Sequence, residues 1–196
     1  VETTLKSYLT SPGFFSAKGI EQYLRDVVLP TNSYTELGVE LYSIATYLNQ
    51  SRKAVFGPQD FTNKKGDVVF MKNVPISDGV AASLSLPPFF VPWRIKNLKG
   101  EDIDYYDGEI RETLSTHVAT DFGADLVIAS YSIQPYNYTP EVGSLSDFGL
   151  PLIFNQALYQ VIEQKIDKSI SSREDIRTLM NVVTGYFREH DLPMEH

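Results

Sequence analysis

The sequence predicts an α/β domain with mixed strands. Two short segments rich in apolar and β-branched residues, 39–46 and 53–57, flank a polar turn and are typical of a β-hairpin. Residues 124–130 are apolar without alternation, which is typical of a strand buried on both faces of a sheet. Helical periodicity occurs near both ends of the chain. Together, these patterns indicate a sheet covered by helices.

The other elements follow in order from the same kinds of pattern. Ser16 is a candidate N-cap for a first helix, which Pro30 ends. Further segments have the length and apolar content of strands at 67–71 and 103–106, and of helices at 77–84 and 113–122. Two long helices are predicted at the end of the chain, and Ser172 and Asp175 resemble a capping box for the second.

Composition limits the classes of function. The chain has 196 residues, of which 42% are hydrophobic, enough for the core of one domain. A formal net charge of −8 does not suit a nucleic-acid binder, which needs a basic face. Without cysteine the chain has no disulfide and no thiolate metal site. No apolar run reaches the roughly 18 residues of a membrane-spanning helix.

Two aspartate–glycine pairs are candidate functional positions: Asp78-Gly79 and Asp107-Gly108. The second pair follows a predicted strand. Ligands of open α/β sheets bind beyond the carboxyl ends of the strands, where an aspartate can orient or deprotonate a nucleophile. Aspartate–glycine is also a common turn dipeptide, so the residues alone leave both interpretations open.

Other catalytic and metal-binding motifs are missing from the sequence. Counted from Asp102, the acidic stretch has Asp107 where an EF-hand needs its glycine, so a calcium loop is excluded. Neither His117 nor His190 has a partner at a metal-ligand spacing. The sequence contains no Gly-x-Ser-x-Gly elbow and no glycine-rich phosphate loop.

Residues 86–93 combine three prolines with three aromatic residues. One interpretation makes this segment the wall of an acyl pocket. The other makes it a rigid connector that packs on the core, since proline lowers the entropy lost on folding.

Taken in order, four segments resemble the later part of a patatin-like phospholipase domain. Residues 12–29 resemble the stretch that follows the family's nucleophile. Residues 34–57 resemble its "ivATDLntG-k-v-F" hairpin, with Tyr47 in place of the usual aspartate. Residues 76–93 resemble its "aS-a-P-fF-P" segment, and residues 105–130 resemble the stretch from "vDGG" to "GADvvI-V".

The resemblance implies a three-layer α/β/α fold whose mixed sheet is mostly parallel and incomplete on its N-terminal side. It implies one partial domain over residues 1–196, with residues 1–150 forming the sheet and the Asp-Gly loop and residues 151–196 the terminal helices. The family uses a serine–aspartate dyad without histidine, metal or cofactor. By resemblance, Asp107 is the dyad aspartate and Gly108 supplies the turn that presents it.

Two departures from the family pattern follow this position. Glu109 replaces a second glycine and Ser115 replaces a proline. The negative charge of Glu109 is expected to raise the pKa of Asp107. In the family the serine and the oxyanion glycines precede the segment that residues 12–29 resemble. We therefore expect them upstream of Val1, and we expect this chain alone to be inactive.

The resemblance implies the C-terminal portion of a lipid acyl hydrolase that acts on phospholipids, lysophospholipids or other acyl esters, with possible peripheral membrane contact. Candidates for lining the acyl pocket are Leu86, Phe89, Phe90 and Trp93. Uncovered apolar surface predicts self-association or a bound N-terminal fragment of the same protein. The compartment stays open, with the cytoplasm or the membrane periphery favoured. Two alternatives remain: a non-catalytic module of the same fold for binding or assembly, and an unrelated α/β protein.

Overall fold

The computed structural model describes residues 11–62, 66–97, 99–132 and 134–190, apart from the side chain of Phe61. In chain order the elements are α1 (Lys18–Tyr23) with a π-helical continuation (Leu24–Val28), β1 (Ser43–Tyr47), β2 (Lys53–Phe56), β3 (Phe61–Thr62), β4 (Val68–Met71), α2 (Ile76–Ser83), β5 (Trp93–Lys96), β6 (Asp102–Asp107), a 3-10 turn (Gly108–Ile110), α3 (His117–Asp121), a second 3-10 turn (Leu145–Phe148) and α4 (Leu150–Glu189).

The six strands form one sheet in the order β3-β4-β2-β1-β6-β5. Strands β1 and β2 make the predicted hairpin, with Ser43 opposite Phe56 and Thr46 opposite Lys53. Strand β6 pairs with the other edge of β1. The strand that carries Asp107 therefore lies next to a central strand of the sheet.

The sheet is mixed, as predicted, but the expectation that it is mostly parallel is wrong. Among the described strands only β2 and β4 pair in parallel, and the other four pairings are antiparallel. The connections from β1 to β2 and from β5 to β6 are short turns, and turns of that length join only antiparallel neighbours. In β5, half-buried Trp93 and Ile95 alternate with exposed Arg94 and Lys96, a strand pattern that the sequence prediction missed.

Both faces of the sheet carry a hydrophobic core. Ala54 and Phe56 of β2 pack in one cluster, to which α2 contributes Ala82. Val55 points to the other cluster, to which α3 contributes Val118. The described residues therefore form an α/β fold with helices on both faces of a mixed sheet.

Residues 124–130 do not form the predicted buried strand. They carry no strand pairing, and Leu126 and Ile128 are 78% and 86% exposed. A strand needs a neighbour for its backbone N–H and C=O groups, and no strand in the described part of the chain pairs with this segment. Its apolar sequence alone is therefore not sufficient to make it a strand.

A single helix of 40 residues, α4, replaces the two predicted terminal helices. Ser172 and Asp175 lie inside it, so they do not start a second helix. No proline or glycine interrupts the sequence between Pro151 and Gly185, which lets one helix continue. Of the described helices, none is long and apolar enough to cross a membrane.

The first helix begins two residues after the predicted cap. Its first residue is Lys18, whose N–H donates to the Ser16 hydroxyl at 3.2 Å. The apolar face that predicts this helix is not covered by the described residues. Its exposed members are Ile20, Tyr23, Val27 and Val28.

Candidate functional site

Asp107 lies at the carboxyl end of β6, where the strand passes into a 3-10 turn. Its Cα lies opposite Ala45 of β1, and its N–H donates to the carbonyl of Ser85 at 3.1 Å. The carboxylate Oδ1 accepts the N–H of Glu109 at 2.9 Å, which makes Asp107 the N-cap of the turn. Backbone pairing and this cap together fix the direction of the carboxylate.

Gly108 allows the turn to lie against β1. A Cβ at this position would lie 2.7 Å from the carbonyl oxygen of Ile44 and 2.9 Å from its Cγ2. Backbone atoms cannot give way as the end of a flexible side chain can, so any other residue would push the turn away from β1. This close approach is what requires glycine after Asp107.

The Asp107 carboxylate lines a cavity of about 330 Å³ between the turn, β1 and α2. The cavity combines carboxylates, hydroxyls and aliphatic groups. The described residues that line it are Tyr42, Ser43, Ile44, Val80, Ser83, Leu84, Asp107, Gly108, Glu109, Glu112 and Ser115. A half-enclosed cavity with convergent polar groups is the usual form of a small-molecule site.

Burial raises the pKa of Asp107 to about 6, because the partly enclosed carboxylate loses hydration. The N–H of Glu109 opposes this rise, and the negative charge of its side chain adds to it, as the sequence predicts. Burial also raises the pKa of Glu109 itself, against the effects of a backbone hydrogen bond from Leu114 and the charge of Lys165. A carboxylate that titrates near pH 6 is well suited to accept a proton from a hydroxyl at neutral pH.

Two serine hydroxyls of the cavity are engaged elsewhere. Ser43 Oγ accepts the Tyr34 hydroxyl at 2.8 Å, and Ser115 Oγ donates to the carbonyl of Glu112 at 3.3 Å. Neither hydroxyl is bonded to Asp107.

The four acyl-pocket candidates do not line this cavity. Segment 86–93 instead lies along residues 14–15: Phe15 N–H donates to the carbonyl of Phe89 at 2.7 Å, and the Phe15 and Phe90 rings lie 6.2 Å apart. Trp93 packs on the core. Leu86 N–H donates to the carbonyl of Leu84 at 2.8 Å. Of the four candidates, Trp93 is the one that packs on the described core, and both interpretations of this proline-rich segment stay predictions.

Asp78, the other aspartate–glycine candidate, lies in the first turn of α2 and not in a loop. Its Oδ1 accepts the indole N–H of Trp93 at 2.9 Å. Burial raises its pKa, and the Trp93 hydrogen bond opposes the rise. Gly79 packs closely on Phe56 and the Tyr34 hydroxyl. The Asp78-Gly79 pair therefore contributes to the packing of α2 on the sheet.

The sequence prediction missed a cluster of Lys53, Glu112 and His117, in which Lys53 is buried and the other two side chains are partly exposed. Lys53 is 1% exposed, and its Nζ contacts Glu112 Oε2 and lies 2.8 Å from His117 Nε2. His117 Nδ1 lies 2.7 Å from Glu112 Oε1. Because the lysine ammonium only donates, Nε2 accepts and the proton of the ring lies on Nδ1. The available signal was a lysine at the first position of the predicted strand 53–57, directly before three apolar residues, since buried lysines are almost always paired.

No group of three or more histidine, aspartate or glutamate side chains suited to a metal ion occurs among the described residues. No protein-family model matches the sequence, and no curated protein matches it. The function of the site is therefore inferred from the side chains that form it.

Proposed function

We propose that this chain is the aspartate-bearing portion of a patatin-like lipid acyl hydrolase and that Asp107 is its general base. One observation carries the proposal. The Asp107 carboxylate ends a strand, lines a cavity of about 330 Å³ and has a pKa raised to about 6 by burial. A strand-end carboxylate with a raised pKa in a cleft is a candidate for acid–base work.

In the proposed reaction a serine hydroxyl transfers its proton to Asp107 while its oxygen attacks the ester carbonyl. The departing alcohol takes that proton, and the acyl group stays on the serine. Asp107 then accepts a proton from water, whose oxygen attacks the carbonyl of the acyl-serine. The bond between the acyl carbon and the serine oxygen breaks, the serine oxygen takes the proton back from Asp107, and the fatty acid leaves. The sequence has no Gly-x-Ser-x-Gly elbow, so the proposal assigns the serine to a segment outside these 196 residues.

The test uses the protein expressed from its complete coding sequence. We expect it to react with a fluorophosphonate and to hydrolyse lysophosphatidylcholine. Asp107→Asn should lower kcat by about a thousandfold or more, as loss of a general base does in serine hydrolases. Asp102→Asn is the matched control, because Asp102 is an exposed carboxylate on the same strand, paired with Lys96 at 2.9 Å.

Activity should also rise with pH around a midpoint near 6, where Asp107 ionises. Full activity in the Asp107→Asn variant would contradict the proposal, as would an unreactive wild-type protein. The 196-residue chain alone should neither react with the fluorophosphonate nor hydrolyse the ester.

A second candidate function is a binding or assembly module of the same fold. The observation that favours it is apolar surface left open at three places: α1, residues 124–130 and the second half of α4. Surfaces of this kind are usually covered by another chain. Light scattering of the 196-residue chain should then give a mass above 22.1 kDa. A stable monomer at micromolar concentration would contradict this candidate. Because the hydrolase proposal also predicts association of this chain, the result that favours the module is association together with a protein from the complete coding sequence that does not react with the fluorophosphonate.

A further inference from the structure

Ser43 and Asp107 project from neighbouring strands on one face of the sheet. Strands β1 and β6 pair antiparallel with Ala45 opposite Asp107, and Ser43 lies two residues before Ala45. Alternate residues of a strand share a face, so Ser43 is the diagonal neighbour of Asp107. Ala45 and Tyr105 pack in the cluster that α2 covers, which puts this face on the side of α2. The Ser43 hydroxyl and the Asp107 carboxylate thus line one cavity from adjacent strands.

Among the described groups, the Ser43 hydroxyl makes one hydrogen bond, in which it is the acceptor. Buried Tyr34 donates its hydroxyl proton to Ser43 Oγ at 2.8 Å, which occupies a lone pair and directs the serine proton away from Tyr34. No described group accepts that proton. Ser43 is only 7% exposed, and a buried donor without a partner costs stability. The proton is therefore available to a molecule in the cavity.

Asp107 offers the complementary atom. Its Oδ1 accepts the N–H of Glu109, whereas Oδ2 has no hydrogen-bond donor in the described part of the chain. One free acceptor and one free donor therefore face the same space. A water molecule or a hydroxyl group matches this pair, because a single oxygen atom can donate to Oδ2 and accept from Ser43. An ester carbonyl can only accept, so it would leave the carboxylate without a partner.

Ser83, at the end of α2, also lines this cavity, and its hydroxyl has no hydrogen-bond partner among the residues that the structure describes. It is half-buried, so solvent water can complete its hydrogen bonds. Ser43 differs because it is buried, is held by Tyr34 and lies on the strand next to Asp107. The geometry therefore favours Ser43 as the partner of Asp107 in binding one oxygen atom.

We propose that Ser43 positions the water molecule that hydrolyses the acyl-serine, and this inference rests on the proposed function. Once the serine is acylated its oxygen carries no proton, so Asp107 Oδ2 is free for water. That water donates one proton to Oδ2, accepts the Ser43 proton on one lone pair and attacks the acyl carbonyl with the other. Ser43 keeps its own proton throughout, so the proton transfers of this step remain those between water, Asp107 and the leaving serine oxygen.

The position of Ser43 matters more for water than for the nucleophilic serine. The serine is oriented by its own chain, whereas a free water molecule is oriented only by its hydrogen bonds. Loss of the Ser43 hydroxyl should therefore slow deacylation and leave acylation unchanged. Tyr34 is a positioning residue in this arrangement, because it acts through the Ser43 hydroxyl that it holds.

The test uses the protein expressed from its complete coding sequence and p-nitrophenyl acetate as substrate. Stopped-flow absorbance separates acylation, seen as a burst of p-nitrophenol, from deacylation, seen as the steady phase. The variants are Ser43→Ala, Ser43→Thr and Tyr34→Phe. The matched control is Thr46→Val, because Thr46 is a buried residue on the opposite face of β1 that does not line the cavity. Its hydroxyl has no hydrogen-bond partner among the described residues.

Ser43→Ala should lower the deacylation rate constant about three- to tenfold, as expected for one neutral hydrogen bond. The burst rate constant and the rate of fluorophosphonate labelling should not change. Ser43→Thr keeps the hydroxyl and should deacylate as wild type does. Tyr34→Phe keeps the Ser43 hydroxyl without holding it, so deacylation should slow less than in Ser43→Ala. Thr46→Val should match wild type in both steps.

Three results would overturn the inference. The first is wild-type deacylation in Ser43→Ala, and the second is equal slowing of both steps in that variant, which would indicate a structural role. The third is deacylation as slow in Ser43→Thr as in Ser43→Ala, which would show that the hydroxyl does not act. The proposed function is tested separately by Asp107→Asn, which should slow both steps. A wild-type protein that forms no acyl-enzyme would overturn the proposed function and this inference together.

Discussion

The main-chain N–H of Glu109 donates a hydrogen bond to Oδ1 of Asp107 at 2.9 Å, while the side chain of Glu109 adds negative charge beside the same carboxylate. The first effect favours the ionised form of Asp107 and the second disfavours it. Burial outweighs the hydrogen bond, and the pKa rises from 3.8 to about 6. The ionised carboxylate of Asp107 therefore lowers the stability of the folded protein.

That cost predicts a pH-dependent gain in stability for Asp107→Asn. A carboxyl group whose pKa is raised in the folded state destabilises the fold as pH rises from 3.8 towards 6, and fully above 6. A shift of about two units corresponds to an upper value of about 3 kcal/mol. The variant should therefore be more stable than wild type by about 1–3 kcal/mol at pH 8, and equal to it near pH 4.

Urea unfolding of both proteins across this pH range measures the difference. The control Asp102→Asn removes an exposed carboxylate and should give no stabilisation at any pH. If Asp107→Asn changed stability by the same amount at every pH, the pKa of Asp107 would not be raised in the folded state.

Substitution of Gly108 should destabilise the fold through β1. In Gly108→Ala the added Cβ meets the backbone of Ile44 at under 3 Å, and we expect a loss of about 1–3 kcal/mol. Gly19→Ala is the matched control, because Gly19 lies in α1 with nothing within 4 Å of the position that a Cβ would take. Alanine there should stabilise the protein by about 0.5–1 kcal/mol. Thermal unfolding measures both stability changes. Changes of opposite sign would confirm the close approach of Gly108 to Ile44, and changes of the same sign would contradict it.

The cluster of Lys53, Glu112 and His117 predicts that removing its anion costs more stability than removing its cation. Glu112→Ala leaves the ammonium of Lys53 buried beside His117 without a carboxylate. We expect a loss of about 2–3 kcal/mol, towards the lower end for broken buried pairs because the Glu112 side chain is 43% exposed. Lys53→Met removes the buried charge and leaves Glu112 able to reach water, so it should cost less.

Chemical denaturation of the two variants and of wild type provides this comparison. A smaller loss for Glu112→Ala than for Lys53→Met would show that the hydrogen bond to His117 is enough to stabilise the buried ammonium of Lys53 without Glu112. The expected order would then be wrong.

The predicted elements that rest on local pattern agree with the structure. The hairpin of β1 and β2, strand β4, helix α2 and the strand that ends at Asp107 all lie within a few residues of their predicted positions. Each depends on residues close together in sequence: apolar alternation, a polar turn, or helical spacing ended by proline. The raised pKa of Asp107 follows in part from Glu109, which is also a neighbour in sequence.

The predicted elements that the structure contradicts depend on partners distant in sequence. Residues 124–130 have the composition of a buried strand, yet their exposure reflects the absence of a described strand beside them. The capping box of Ser172 and Asp175 is not used because the preceding helix does not stop. The composition of a segment is compatible with more than one conformation. Its contacts with neighbouring elements determine which conformation is stable.

Local patterns along the chain were enough to establish the α/β class, the order of most elements and the position of Asp107 at the end of a strand, because short-range periodicity and turn chemistry encode them. Long-range packing alone placed β6 beside β1 and brought Lys53 to Glu112 and His117. These contacts join residues more than fifty positions apart. The free energy of these contacts is gained only when folding brings the residues together. A local sequence pattern therefore does not predict them.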